Sequence, residues 1–137
     1  MENCVARTNW FTVKDPNALM NAFPALVIEN GGHLQIFTRH EDGVIRFAFG
    51  SEQEIKGYPD ENEDVDIHPF LEKLVDIVAD DDVIILHEVR HDKLRYVAAG
   101  AYFITSKGWE FVDFLETIYQ KACEVTGNMD FKTQLEY

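Results

Sequence analysis

The sequence lacks features that define several classes of protein, because it has only two cysteines and no long apolar run. Its 137 residues include two cysteines, Cys4 and Cys123, which lie near opposite ends and lack C-x-x-C spacing. We therefore expect ordinary thiols, with neither a disulfide framework nor a thiolate metal site. A membrane-spanning helix needs roughly 18 or more apolar residues, and a secretory leader joins a basic segment to an apolar one. Neither pattern is present, so we expect a cytoplasmic protein without a membrane span.

Positive charge is also scarce. The chain has 12 Lys and Arg residues against 25 Asp and Glu residues, a net charge of −13. Residues 41–82 alone carry 14 acidic residues against three basic ones, a balance of −11 in 42 residues. A field of this sign repels phosphate backbones, so direct binding of nucleic acid is not expected.

Sequence motifs for phosphate or cofactor binding are absent as well. The chain has no nucleophile elbow, no P-loop and no dinucleotide fingerprint, and we expect no cofactor. What the chain does have is a hydrophobic fraction of 46%, far above that of a disordered segment. Its length suits one domain with a sizeable core, so we predict a single domain over residues 1–137.

The pattern of apolar and turn residues predicts alternating strands and helices. The predicted elements are a strand at 9–14, a helix at 15–23, strands within 27–49, a helix at 66–80, strands at 82–89, 94–105 and 109–112, and a helix at 113–126. Residues 50–66 are predicted as an acidic surface loop and residues 128–137 as a loose tail. We therefore predict an α+β domain with a mainly antiparallel sheet and about three helices largely on one face. A ferredoxin-like βαββαβ unit elaborated by an extra hairpin is the expected architecture.

Two local patterns support specific details of that prediction. Asp42-Gly43 predicts a type I′ hairpin turn, because that turn needs positive φ at both central residues. In the last helix, apolar residues recur at helical spacing and predict a buried stripe made of Leu115, Ile118, Ala122 and Val125.

The stretch HEVRH at residues 87–91 matches the H-E-x-x-H zinc motif. On a helix, His87 and His91 would be zinc ligands, Glu88 the general base and Glu110 a third ligand. The apolar residues 83–86 before the motif are mostly β-branched, which favours a strand. On a strand the two histidines would stand about 13 Å apart, too far for one zinc ion. A zinc-dependent hydrolase is therefore an alternative hypothesis, and no metal site is the expectation.

Two charged clusters are candidates for binding a partner. The acidic cluster consists of Asp60, Glu61, Glu63, Asp64 and Asp66, and the basic cluster consists of Arg90, Lys93 and Arg95. The acidic cluster begins with the oxygen spacing of an EF-hand loop but lacks the glycine and the final glutamate that such a loop requires. The basic cluster is expected at a hairpin tip, where it would contact an acidic surface or pair with acidic residues of this chain.

Three stretches of the chain follow a shared pattern: RTNWFTVKD at residues 7–15, KLRY at 93–96 and ITSKG at 104–108. With them the chain resembles a family of small acidic uncharacterised proteins of bacteria, phages and other mobile elements. The resemblance covers most of the chain in order and spacing and implies no activity. In that family an acidic-hydrophobic strand without zinc-spaced histidines stands where this chain has His87-Glu88-Val89. That departure counts against the hydrolase hypothesis.

The function expected from the sequence is a non-enzymatic interaction with a protein partner, which we expect to be basic. A folded domain whose charges are grouped by sign, and whose residues do not follow the spacing of a catalytic motif, is typically a binding module. A narrower alternative is mimicry of the DNA backbone by the acidic segment, which would inhibit a host protein that binds nucleic acid. A homodimer formed through an uncovered sheet face is a further expectation.

Overall fold

A computed structural model describes residues 3–92 and 96–130 of the chain. Within these ranges the strands are β1 (Asn3–Thr8), β2 (Val27–Ile28), β3 (Gln35–Glu41), β4 (Val44–Ser51), β5 (Ile55–Pro59), β6 (Val65–Asp66), β7 (Ile84–Asp92), β8 (Tyr96–Thr105) and β9 (Gly108–Asp113). The α-helices are α1 (Pro16–Ala22), α2 (His68–Ile77) and α3 (Phe114–Thr126), and a short 3₁₀ helix occupies Glu29–Gly31. The predicted class, a single α+β domain with a mainly antiparallel sheet and three helices, is confirmed.

The main sheet has six strands in the order β3-β4-β1-β7-β8-β9, and all neighbours are antiparallel. Because β4 separates them, β1 and β3 are parallel, and α1 lies between them in sequence. Strands β4 and β7 are likewise parallel across β1, with α2 between them in sequence. These two split βαβ connections reproduce the strand order of a ferredoxin-like unit. The β8–β9 hairpin extends that unit at one edge, which agrees with the predicted extra hairpin, and α3 follows it.

One face of this sheet, which we name the covered face, packs against α1 and α2. Helix α2 repeats apolar residues at steps of three and four, and this spacing places them on one side of the helix. The core contains side chains from both helices and from the central strands, among them Leu19, Ala22, Phe47, Phe49, Phe70, Leu71, Leu74, Ile77, Ile84 and Leu86. Phe49 contacts the rings of Phe11, Phe23 and Phe70 edge to face, with centroids 5.3 to 6.0 Å apart.

The first strand lies earlier in the chain than predicted. Residues 9–14 form only two isolated bridges, Phe11 with Phe47 and Val13 with Val78. The side chain of Asn9 takes the place of a neighbouring strand's backbone. Its Nδ2 donates to the carbonyl of Val83, and its Oδ1 accepts from the amide of Ile85. The prediction of a strand at 9–14 is therefore wrong, and β1 directly precedes that segment.

The segment 50–66 contains more regular structure than predicted. Strand β5 pairs with β2 and β6 in a small three-stranded sheet. Ile55 has 1% of its surface exposed and belongs to the core, and the hydroxyl of Tyr58 donates to the carbonyl of Ala22 in α1. Residues 60–64 match the predicted exposed loop, and we use the name acidic loop for residues 60–66, which include the exposed strand β6. The prediction of a loop is wrong for β5 and β6.

Helix α3 begins and ends as predicted but packs differently. Asp113 caps it by accepting from the amide of Leu115 at 2.9 Å, and Gly127 ends it with φ 70°. Ile118 and Val125 are 53% and 73% exposed, and no residue of α3 is buried. The predicted buried stripe is therefore wrong. The helix lies against the sheet face opposite α1 and α2, which we name the open face, where it contacts β8 and β9 and where Phe114 meets the ring of His87 on β7.

Candidate functional site

The HEVRH stretch forms part of β7, which confirms the strand predicted at 82–89. The strand continues to Asp92, so Arg90 and His91 lie in the strand and not at a hairpin tip. Side chains alternate along a strand, and this alternation places Glu88 on the covered face and both histidines on the open face. His87 and His91 are therefore about 13 Å apart, with Glu88 directed away from both. Glu110 lies on β9 opposite Phe103, also on the open face. Among residues 3–92 and 96–130, no group of three or more His, Cys, Asp or Glu side chains is arranged to hold a metal ion. The helical arrangement that the zinc hypothesis requires is not formed.

Glu88 belongs instead to an ion-pair cluster in which it is buried and its partners Arg90 and Glu54 are half-buried. Its surface is 7% exposed, and the two neighbouring strands place only Ala6 and Gly100 opposite it. The Nη2 atom of Arg90 donates to Glu54 Oε1 at 2.6 Å and to Glu88 Oε2 at 3.4 Å. This guanidinium joins β7 to the start of β5, and so links the main sheet to the small one. Sequence analysis missed Glu54, because 36 residues separate it from Arg90 and no spacing rule connects the two.

The environment of this cluster changes the ionisation of its members. Burial raises the pKa of Glu88, and the charge of Glu54 adds to the increase while Arg90 opposes it. Burial alone would lower the pKa of Arg90, but the charges of Glu88 and Glu54 outweigh it, and the net change is upward. The pKa of Tyr102 is also raised, first by burial and then by Glu88. A carboxyl group of this kind is a candidate for proton transfer when a substrate can reach it.

A small cleft of about 100 Å³ adjoins the cluster and is lined by Glu88, Arg90, Ala98, Gly100, Phe111 and Asp113. This volume corresponds to roughly three water molecules, whereas ligand pockets usually measure about 300 to 1,000 Å³. The Arg90 guanidinium at its edge already has two carboxylate partners. The arrangement therefore favours a structural ion pair over a substrate site.

The acidic loop follows β5 and ends in β6, and hydrogen bonds to Asp60 hold its backbone. Asp60 Oδ1 accepts from the amides of Asn62 at 2.8 Å and Asp64 at 3.0 Å, and Glu63 adopts φ 64°. The five acidic residues predicted to bind a partner, Asp60, Glu61, Glu63, Asp64 and Asp66, are all exposed. In the described ranges, Asp66 Oδ1 lies 3.2 Å from His68 Nδ1, and none of the five lies within ion-pair distance of a lysine or arginine.

The predicted basic cluster is divided in the structure. Arg90 turns to the covered face and binds carboxylates of this chain, while His91 is exposed on the open face. Lys93 and Arg95 lie outside the described residues. The pairing of Arg90 with acidic residues of its own chain is one of the two roles that the sequence allows.

Comparisons with known proteins found no similar protein. No protein-family model matches the chain, and no match was found among the curated proteins or the solved structures. The longest described helix has 13 residues, and none in the described ranges has both the length and the hydropathy needed to cross a bilayer.

Proposed function

We propose that this protein is a non-enzymatic interaction module that binds a basic protein partner through the acidic loop. The observation that carries the proposal is the exposure of five carboxylates within seven residues, none of them paired with a described lysine or arginine. Carboxylates grouped in this way repel one another, and a partner that supplies guanidinium or ammonium groups relieves that repulsion.

The conformation of the acidic loop supports a binding role. Asp60 fixes the loop backbone through two hydrogen bonds, so less conformational entropy is lost when a partner binds. The loop also follows β5, whose Ile55 is anchored in the core. The carboxylates are therefore presented from a rigid base, and their summed field accelerates encounter with a basic surface.

Two other features agree with this proposal. Neither Cys4 nor Cys123 takes part in a disulfide, which suits the reducing cytoplasm, the location we propose for this protein. Glu88, the buried carboxyl with a raised pKa, adjoins a cleft of only about 100 Å³. That cleft is smaller than an ordinary ligand pocket, which favours a non-enzymatic role. Mimicry of DNA is a narrower form of the same proposal, in which the basic partner is a protein that normally binds duplex DNA.

The test compares two triple variants that carry the same net charge. The loop variant Glu61→Gln, Glu63→Gln, Asp64→Asn removes three charges from the acidic loop and keeps the Asp60 hydrogen bonds. The dispersed variant Asp42→Asn, Asp81→Asn, Glu110→Gln removes three exposed charges at separate places. Binding of a fluorescent ten-residue lysine- and arginine-rich peptide is measured by anisotropy at low and high salt.

We expect the wild type to bind the peptide at low salt and to lose binding as salt is added. The loop variant should bind about tenfold more weakly than the dispersed variant, because only the first removes charges that act together. Equal weakening in both variants would show that the peptide responds to net charge alone, and would refute the role of the acidic loop.

A further inference from the structure

The open face carries a groove on the opposite side of the sheet from α1, α2 and the Glu88 cluster. It has a volume of about 320 Å³ and lies between β1 and the β3–β4 hairpin. Strand β1 pairs with β4 through only two residue pairs, Ala6 with Ser51 and Arg7 with Gly50. Beyond Ser51 the chain leaves the sheet, so the edge of β1 near Val5 has no strand beside it. The groove results from this divergence.

Glycine at position 50 forms the floor. In the register of the sheet, Arg7, Gly50 and Gln35 lie side by side on three neighbouring strands and face the same way. The missing side chain at Gly50 leaves a depression between the other two, whose Cα atoms are roughly 10 Å apart. A Cβ atom at this position would approach the carbonyl oxygen of Ala6 to 2.7 Å, so the close pairing of β1 with β4 requires glycine.

The groove has apolar walls and unsatisfied polar groups. Val5 and Phe37 are 52% and 45% exposed and line it together with Trp10. Arg7 is exposed, and no described residue forms an ion pair or hydrogen bond with its guanidinium. Gln35 likewise has no side-chain hydrogen bond with the described part of the chain. Apolar walls beside the Arg7 guanidinium and the Gln35 carboxamide match a ligand with an apolar ring and one anionic group.

The charges around the groove limit the ligand to a single negative charge. Arg39 stacks over the Trp10 ring at 4.9 Å and pairs with Glu41 at 3.0 Å, so its charge is already balanced. Glu52 also lines the groove and would repel a second anionic group. Among the described residues that line the groove, Arg7 is the only cation, and no described residue pairs with it.

We propose that this groove binds an aromatic monocarboxylate, with the carboxylate held over Gly50 by Arg7 and Gln35 and the ring against Trp10 and Phe37. Carboxylate oxygens match the paired N–H donors of a guanidinium, and an aromatic ring stacks favourably on an indole. This site is independent of the acidic loop, which belongs to the other side of the sheet, so either proposal can fail without the other.

The test uses 2-naphthoate as the probe and 2-naphthamide as its neutral counterpart. Each is titrated into the ¹⁵N-labelled full chain while amide chemical shifts are followed. We expect saturable shifts at Val5, Gln35 and Gly50 with a dissociation constant of roughly 1 mM or below for naphthoate, and binding about tenfold weaker for naphthamide. Absence of saturable binding at millimolar naphthoate, or equal affinity for the two probes, would overturn the proposal.

Two variants with the same net charge distinguish binding in the groove from a general effect of net charge. Arg7→Gln should weaken naphthoate binding by about tenfold and leave naphthamide binding unchanged, because it removes only the charged hydrogen bonds. Lys107→Gln removes an exposed positive charge from the β8–β9 turn and should leave both affinities unchanged. Equal effects of the two variants would contradict a specific role for Arg7. Sedimentation of the free protein over a range of concentrations completes the test, because a dimer that buries Val5 would mean that a second copy occupies the groove.

Discussion

The surroundings of two carboxyl groups, Asp82 and Glu88, shift their pKa values in opposite directions. Burial alone would raise the pKa of Asp82, but hydrogen bonds from the Thr12 and Val83 amides and from the Thr12 hydroxyl outweigh it, and the net change is downward. These bonds measure 2.7 to 2.8 Å. Among the described residues, Glu88 accepts a single long bond, from Arg90, so burial dominates and its pKa is raised.

We expect Asp82→Asn to lower the free energy of unfolding at pH 7 by about 1–3 kcal/mol, because the amide cannot accept all three bonds as strongly as the carboxylate does. A lowered folded-state pKa gives stability that is present above the unfolded pKa and is lost as the pH falls through the folded one. The difference between wild type and variant should therefore shrink in acid. Urea unfolding measures it, with the exposed neighbour variant Asp81→Asn as the control. An equal loss in Asp81→Asn would contradict the assignment.

The prediction for Glu88 has the opposite sign. When the folded-state pKa is raised, the unfolded chain loses its proton first, so the folded state becomes less stable as the pH rises from the ordinary glutamate value of about 4.3 through the raised one. Glu88→Gln removes this dependence and keeps an acceptor for Arg90. We expect the stability of the variant relative to wild type to increase between pH 4 and pH 8 in urea unfolding. A difference that is constant or that decreases over this range would show that burial does not dominate at Glu88.

At the scale of elements, α2 and α3 show that the same apolar periodicity can have different outcomes. Both helices are amphipathic and both begin beside an aspartate that accepts a backbone hydrogen bond. Helix α2 lies between the two sheets and buries four residues, whereas α3 lies at the edge of the open face and buries none. Position in the fold, and not the pattern, determines how much each helix contributes to stability.

Alanine substitutions at equivalent apolar positions should reveal this difference. Leu74→Ala in α2 removes a side chain with 0% exposure and should cost about 2–5 kcal/mol of unfolding free energy. Ile118→Ala in α3 truncates a side chain that is 53% exposed and should change stability by no more than about 0.5 kcal/mol. Chemical denaturation of the two variants checks both values. A cost above about 2 kcal/mol for Ile118→Ala would mean that another surface covers α3.

At the scale of the whole molecule, charge is unevenly distributed. The net charge is −13, yet the open face presents Arg7, Arg39 and Arg46 along three neighbouring strands. The acidic loop belongs to the small sheet, which contacts α1 and α2 on the other side. The acidic loop and the part of the open face that carries these arginines therefore suit groups of opposite charge.

Self-repulsion at this net charge should make stability depend on salt. We expect the melting temperature to rise by several degrees when sodium chloride increases from low to near-molar concentration, because screening reduces repulsion among the carboxylates. Scanning calorimetry of the wild type and of the loop variant provides the comparison. The increase should be smaller in the loop variant, which carries three fewer negative charges, and an equal increase would indicate that the acidic loop adds no repulsion of its own.

The sequence by itself determined the fold class, most element boundaries and the strand at HEVRH. These follow from local physics: Asp42-Gly43 forms its turn because both residues adopt positive φ, at 54° and 77°, and β-branched residues favour an extended chain. Strand β1 escaped prediction because its buried residues, Cys4, Ala6 and Thr8, are small or polar and give a weak hydrophobic pattern.

Only the tertiary structure decided which residues meet. Glu54 reaches Arg90 across 36 residues, and Arg7, Gly50 and Gln35 become neighbours through strand order alone. The packing of α3 was decided in the same way, because a periodic apolar stripe specifies a helix face without specifying what will cover it. Local patterns depend on neighbours in the chain, whereas a site depends on contacts between distant segments, and these become fixed only when the sheets and helices pack.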